Sequence, residues 1–207
     1  LNNVLHENAD MKDRILMEKV PSSERFLTDI ISAMRDFRVI SLCYQGFRHP
    51  EPFCFNVRPY CVKYFKQRWY LLGDSDLGLR IYSLDRFVDM EELEEHFEIP
   101  KGFDAEEYFG NYFGVIIGEE PEDVKIRVVP DQVKYFRTLP MHGSQRETVQ
   151  EDGSSVFSYH IAPTLDFVQE ILSHGADVEV LEPAELRESV ADIIAGMASR
   201  YGLPVSR

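Results

Sequence analysis

The first clear hydrophobic pattern in the chain has a helical period. In the segment "PSSERFLTDIISAMRDF", residues 21–37, four apolar side chains fall on one helical face: Phe26, Ile30, Ile31 and Met34. Ser22 or Ser23, directly after Pro21, can accept a hydrogen bond from the free amides of the first turn and so act as the N-cap. The pattern predicts an amphipathic helix within a linker segment over residues 1–37.

From residue 38 onward the period changes to two, which is typical of strands. In "RVISLCYQGF" the side chains of Ile40, Leu42 and Tyr44 alternate with those of the opposite face. Short runs of aromatic and β-branched residues follow, separated by "QGFRHPEP", "KQ" and "GDSDLG". The stretch "QRWYLLGDSDLGLRIYSLDR", residues 67–86, reads as one β-hairpin. The spacing predicts a small barrel over residues 38–90, since closing the sheet leaves fewer exposed edges.

The second half of the chain alternates element types after an acidic segment. Residues 91–120 are predicted to be an acidic connector with a short helix that begins at Asp104. Over residues 121–207 a strand, a helix, a hairpin around "EDGS", a helix with Thr164 as N-cap, a strand and a closing helix follow in turn. This βαββαβ order predicts a ferredoxin-like domain, and the whole chain is predicted to be of the α+β class.

Composition and charge narrow the classes of function. The 207 residues carry 36 Asp and Glu against 22 Lys and Arg, a formal net charge of -14, which opposes non-specific binding to nucleic acid. No apolar run of about 18 residues and no secretory leader pattern occurs, so we expect a cytoplasmic chain with no membrane partner. The first residue is Leu rather than Met, which suggests a fragment. The three cysteines, Cys43, Cys54 and Cys61, are expected to be buried free thiols.

The sequence offers little for catalysis. It has no nucleophile elbow, no glycine-rich phosphate loop and no HExxH, and its six histidines are scattered without metal-ligand spacing. A thiol hydrolase built on Cys43 or Cys61 would need a histidine that the sequence does not place nearby. We therefore expect no catalytic residue, no metal and no cofactor, and do not expect an enzyme.

Cations and aromatic residues in the predicted barrel form a candidate ligand site. The five residues are Tyr44, Arg58, Arg80, Tyr82 and Arg86. Arg80 and Tyr82 share one strand face, and Arg86 continues that parity if no bulge intervenes. Guanidinium groups bind phosphate or carboxylate bidentately, and tyrosine offers a stacking face and a hydroxyl. The alternative is that these arginines are surface groups paired with carboxylates such as Asp85 or Asp89.

A resemblance to a known family favours the ligand site over surface arginines paired with carboxylates. The stretch "RWYLLGDSDLGLRIYSLDRF" resembles the signature of the WYL domain, named for Trp69, Tyr70 and Leu71 as they stand here. The upstream "VRPYCVKYFKQ" is similar to the family's preceding strand, and the C-terminal βαββαβ region resembles the WCX extension. By strand parity Trp69 is expected to be a structural residue. The resemblance implies an Sm-like, SH3-type barrel and the sensory half of a bacterial transcriptional regulator.

The same resemblance implies partners. The family binds a regulatory ligand, with a nucleotide or a single-stranded nucleic acid as candidates, and the five site residues would form its pocket. The helical opening resembles the linker to a winged helix-turn-helix, so operator DNA would be contacted only through that domain, which is absent from this chain. Such regulators often work as homodimers. The alternative is a dimerisation module with no small ligand, although its apolar helix face (Phe167, Ile171 and Leu172) is favoured as core.

Overall fold

A computed structural model describes residues 24–47, 50–118 and 120–204, which divide into two units. The first unit ends at Lys101 and the second begins at Gly102. The predicted N-caps, Ser22 and Ser23, lie outside the described residues. Among the residues that the structure describes, no helix is both long enough and apolar enough to cross a membrane.

The predicted amphipathic helix is present as α1, Leu27–Arg35. Phe26, Ile30 and Ala33 are buried at its inner face. Ile31, expected on that face, is 39% exposed, so this part of the prediction is wrong. The reason is geometric: Ile31 follows Ile30 by about 100° around the helix, whereas Ala33 returns to the buried side.

The first unit contains one five-stranded antiparallel sheet. Its strands are β1, Arg38–Tyr44; β2, Phe53–Phe65; β3, Arg68–Ser75; β4, Gly78–Ser83; and β5, Phe87–His96. Their order in the sheet is β4-β3-β2-β1-β5, and a 3-10 turn, Leu84–Arg86, joins the two edge strands. One short turn therefore links both edges, which gives the barrel-like fold that the sequence predicts. Its core includes side chains from α1 and all five strands: Ile30, Ile40, Val57, Leu71, Tyr82 and Phe87.

The hairpin predicted for residues 67–86 is formed by β3 and β4, with Ser75 opposite Gly78. Arg86, however, lies beyond β4 in the 3-10 turn, so the uninterrupted strand that its shared parity with Arg80 required is not present. Leu84 is buried at the first position of that turn, and its insertion into the core ends the alternation of the strand.

The expectation of three free thiols is wrong for two of them. Cys43 and Cys54 are joined in a disulfide, and Cys61 is free. The cause is strand register, because Cys43 of β1 lies directly opposite Cys54 of β2. Side chains that face each other across antiparallel strands come close enough for their sulfur atoms to bond.

The second unit has the predicted ferredoxin-like order. Its elements are α2, Ala105–Phe109; β6, Glu122–Val128; α3, Pro130–Thr138; β7, Arg146–Val149; β8, Ser155–Ile161; α4, Leu165–Ser173; β9, Val178–Glu182; and α5, Ala184–Arg200. The sheet order is β7-β8-β6-β9, with all pairs antiparallel. The α+β class is therefore confirmed, and Asp104 caps α2 by accepting a hydrogen bond from the amide of Glu107 at 2.9 Å.

The core of the second unit lies between its sheet and its helices. Phe167 and Ile171 of α4 are buried in it, and Leu172 packs against it, so the preferred reading of this apolar face as core is confirmed. The predicted domain limits at residues 37, 90 and 120 stay a prediction, although β5 continues to His96, beyond the second of them.

Candidate ligand site on the first unit

A cavity of about 350 Å³ lies where β1 ends and β5 begins. Seven residues line it: Gln45, Gly46, Phe47, Asp85, Arg86, Phe87 and Val88. The backbone amide of Gln45 donates to the carbonyl of Arg86 at 3.1 Å, which ties the chain after β1 to the 3-10 turn. Two short segments of the chain therefore form the cavity walls: one directly follows β1, and the other runs from the 3-10 turn into β5.

Arg86 is the cationic group of this cavity. Its Cζ lies 3.9 Å from the ring centroid of Phe47, a cation–π contact. Its Nε is buried and has no hydrogen-bond partner among the described residues. The adjacent carboxylate of Asp85 lies 2.8 Å from Arg68 and also accepts from the hydroxyl of Ser83. A buried donor without an acceptor is costly, so this guanidinium is suited to an anionic ligand.

The other two predicted arginines already have partners. Arg58 Nη1 lies 3.2 Å from Asp74 Oδ2, its cross-strand neighbour, and Arg80 donates from Nε to the carbonyl of Leu77 at 3.0 Å. Arg58 is therefore paired with a carboxylate, as the alternative interpretation of these arginines expected. Its partner is Asp74, however, and neither Asp85 nor Asp89.

The two predicted tyrosines meet in an aromatic cluster. The ring centroids of Tyr44 and Tyr82 are 5.5 Å apart, and Tyr44 also lies 6.1 Å from Phe87, a cavity residue. Tyr82 is only 5% exposed, and its hydroxyl lies 3.3 Å from Ser75 Oγ. Burial raises the pKa of Tyr82, and the hydrogen bond with Ser75 opposes that rise in part. Tyr82 thus stays a neutral core residue, whereas Tyr44 stands between the core and the cavity.

The predicted site residues fall into two groups. Arg58 and Arg80 flank the end of β3, opposite Asp74 and Gly73 respectively. Arg86 lines the cavity, and the Tyr44–Tyr82 pair is connected to the cavity through the contact of Tyr44 with Phe87.

Sequence reasoning missed five residues of the cavity wall: Gln45, Gly46, Phe47, Phe87 and Val88. The first three lie in "QGFRHPEP", which the sequence treats only as a turn between strands. The available signal was Phe47 itself, because a large aromatic residue in a polar turn needs a contact that the turn alone does not supply.

The WYL tripeptide supports the sheet from within. Leu71 is fully buried, while Trp69 packs at the edge of the core, 5.0 Å between ring centroids from Tyr64. Tyr70 is partly buried.

The possible metal ligands and the cysteines are placed as follows within the described ranges. No three His, Cys, Asp or Glu side chains there lie together in a way that would hold a metal ion. The sulfur of Cys43 is bonded to Cys54, and burial raises the pKa of the Cys61 thiol, with Lys63 opposing the rise. A raised pKa leaves less thiolate, the nucleophilic form.

The fold defines a two-unit α+β protein whose barrel-like unit carries a cavity lined by Arg86. The comparison with known families gives this class a name: residues 25–92 match the WYL domain and residues 120–198 match the WCX domain. The chain therefore belongs to the WYL-domain proteins that carry a WCX domain. No curated protein is similar enough to the sequence to count as a match.

Several solved structures resemble the chain, including the following two. One is proteasome accessory factor B/C of Arthrobacter aurescens, at 19% identity and a TM-score of 0.37, covering 90% of this chain and 28% of that one. The other is a CRISPR Cas-related protein, at 17% identity and a TM-score of 0.51, covering 85% of this chain and 51% of that one. The chain thus spans at most about half of either, and the second likeness concerns the fold alone.

Proposed function

We propose that the chain is the ligand-sensing and regulatory half of a bacterial transcriptional regulator. Its effector is a nucleotide or a single-stranded nucleic acid, bound on the WYL barrel by a site that includes Tyr44, Arg58, Arg80, Tyr82 and Arg86. The cavity residues Gln45 and Phe47 extend that site.

One observation carries the proposal: the guanidinium of Arg86, whose Nε is buried without a partner beside a cavity. A phosphate oxygen is the acceptor that this group lacks. Phe47 presents a ring at the same place, and a base stacks favourably on such a ring. A nucleotide carries its phosphate and its base on one sugar, and the cavity offers one contact for the phosphate and one for the base.

The charge of the molecule limits the size of the effector. With a formal net charge of -14, the chain repels a long polyanion everywhere except near local cations. Few phosphates are therefore contacted, and the salt dependence of binding should be shallow, with a slope of about −1 to −2 in log K against log salt for single strands. A short oligonucleotide or a free nucleotide fits this limit.

Regulation requires that the effector bind two arrangements of the protein unequally. We propose that its binding at the barrel alters the affinity of a winged helix-turn-helix for operator DNA, the domain that usually precedes WYL barrels. This chain itself is not proposed to contact the operator.

The test is fluorescence anisotropy of a labelled ten-nucleotide single strand with the whole chain, at two salt concentrations. Arg86→Ala is expected to weaken binding about ten- to hundredfold, because a hydrogen bond to a charged group is worth about 1.5–3 kcal/mol. Competition with unlabelled nucleoside phosphates then separates a nucleotide effector from a longer strand.

Arg146→Ala is the matched control, because Arg146 is an exposed arginine of the second unit. Its side chain donates to the backbone carbonyl of the preceding residue, Gln145, at 2.8 Å. The substitution removes the same charge far along the chain from the cavity. Equal binding by the wild type and Arg86→Ala would refute the site. Equal weakening by Arg86→Ala and Arg146→Ala would mean that only the change in net charge matters.

The alternative role, a dimerisation module, has one observation in its favour. Leu186 and Val190 of α5 are buried, but the same apolar stripe continues to Ile194, Met197 and Tyr201, which are exposed. Residues 193–204 contain no acidic residue, so two copies can meet there without the repulsion expected of a chain with net charge -14. Light scattering over a range of concentrations tests the dimerisation role, because a chain that stays monomeric at high concentration cannot be a dimerisation module.

A further inference from the structure

The disulfide between Cys43 and Cys54 lies at the base of the connection between β1 and β2. One further strand pair, Tyr44 opposite Phe53, separates it from the end of the ladder. The cross-link therefore closes a short loop of chain and fixes where both strands end. Its position next to the candidate ligand site gives it a role beyond holding the sheet together.

The residues directly after β1 form one wall of the cavity. Gln45, Gly46 and Phe47 all line it, and the Phe47 ring holds the Arg86 guanidinium at 3.9 Å. Two hydrogen bonds complete the arrangement: the Gln45 amide to the Arg86 carbonyl at 3.1 Å, and Gln45 Nε2 to the Pro50 carbonyl at 3.1 Å. The disulfide thus lies two residues before the first residue of this wall.

Both cysteines of the disulfide are at least partly open to solvent. Cys54 is exposed and Cys43 is partly buried, so an incoming thiolate can approach the bond from the Cys54 side. Cys61, the free cysteine, is partly buried and has a raised pKa caused mainly by burial, which makes it a poor attacking group.

We propose that Cys43 and Cys54 form a thiol–disulfide exchange site that sets the order of the cavity wall. A dithiol reductant attacks the bond, leaves with both of its own sulfurs joined, and delivers two electrons and two protons to give two thiols. Hydrogen peroxide reverses the reaction, taking the two thiol protons and two electrons to form the disulfide and two waters. The effect on ligand binding rests on the function proposed above.

The physical reason is chain entropy. A cross-link around a short loop removes conformations that the open chain would populate, so the residues next to it are more ordered when it is intact. After reduction, the wall keeps the Tyr44–Phe53 pair, the two Gln45 hydrogen bonds and the contact of Phe47 with Arg86, but loses the covalent link at its base. If the binding-competent wall then falls to between a third and a tenth of the population, the apparent affinity falls about three- to tenfold.

The experiment compares the whole chain in oxidised and reduced form. Mass spectrometry after alkylation counts the free thiols, and hydrogen exchange measures the amides of residues 44–47. We expect two more alkylated cysteines and faster exchange of these amides after dithiothreitol, both reversed by peroxide. Cys43→Ser with Cys54→Ser should match the reduced form, and Cys61→Ser should leave both responses as in the wild type.

Binding of the labelled ten-nucleotide strand is measured on the same samples. Weaker binding by the reduced form supports the proposal in full. Faster exchange with no binding in either form supports the exchange site and refutes the ligand proposal alone. Unchanged exchange at residues 44–47 after full reduction overturns the proposal, whatever the binding result, and so does failure of peroxide to restore the disulfide.

Discussion

Asp74 competes with any anionic ligand for Arg58, so its removal should strengthen binding. The two groups lie 3.2 Å apart across β2 and β3, and their side chains are 37% and 32% exposed. In Asp74→Asn the guanidinium of Arg58 loses its ionic partner but keeps its place in the sheet. The change therefore frees a cation without removing one.

The magnitude follows from the exposure of the pair. A salt bridge this open to solvent is worth at most about 1 kcal/mol, so the variant should remain folded. The freed guanidinium adds one phosphate contact, which steepens the salt dependence by about 0.7 in log K against log salt. Binding at low salt should tighten about tenfold, if the new hydrogen bond contributes about 1.4 kcal/mol.

The assay is the same anisotropy titration at four salt concentrations, with Asp76→Asn as the control. Asp76 is an exposed carboxylate in the turn between β3 and β4, so its replacement changes the net charge equally. Tyr60 reports the local effect, because its pKa is raised by burial first and by Asp74 second, and should fall in the variant. If the two variants give the same affinities and slopes, Arg58 contacts no phosphate and the reasoning fails.

Two further predictions concern the second unit. Asp166→Ala removes a buried carboxylate that accepts hydrogen bonds from the amides of residues 115–116 at 2.8 and 2.9 Å, and should lower the free energy of unfolding by about 2–4 kcal/mol. The urea unfolding curve followed by circular dichroism should shift to lower urea, whereas the curve followed by the fluorescence of the single tryptophan should not. The control Asp131→Ala should leave both curves unchanged. The hydrogen bond from Arg137 lowers the pKa of Glu147, so its stabilising effect is present above the ordinary carboxyl pKa and is lost as pH falls through the lowered value. The Tm of Glu147→Gln should therefore lie below the wild type at pH 7 and converge with it in acid; a constant difference contradicts this.

Periodicity was sufficient for the element types because it reflects which side of each element is buried. Ile30 and Ile40 mark their faces by spacing alone, and both are fully buried. Ile31 shows the limit, since an apolar residue next to a buried one is consistent with the helical stripe but need not be covered. The βαββαβ order of the second unit likewise followed from short-range pattern.

Long-range register is what the sequence pattern lacks. The pairing of Cys43 with Cys54 depends on which residues of β1 and β2 face each other, and a shift of one residue would separate them. The position of Arg86 depends on a 3-10 turn that Leu84 forms when it enters the core. Phe47 is a candidate site residue because the chain after β1 lies beside that turn, where its ring contacts Arg86.

The three arginines, equivalent in the sequence, differ in what a ligand must displace. At Arg58 it must replace the carboxylate of Asp74, and at Arg80 it competes with the carbonyl of Leu77. At Arg86 the Nε has no hydrogen-bond partner among the described residues. An incoming phosphate therefore gains most at Arg86, where it satisfies a buried donor without breaking an existing bond. We therefore expect the first anion to bind at the cavity, and the other two arginines to be secondary contacts of a longer ligand.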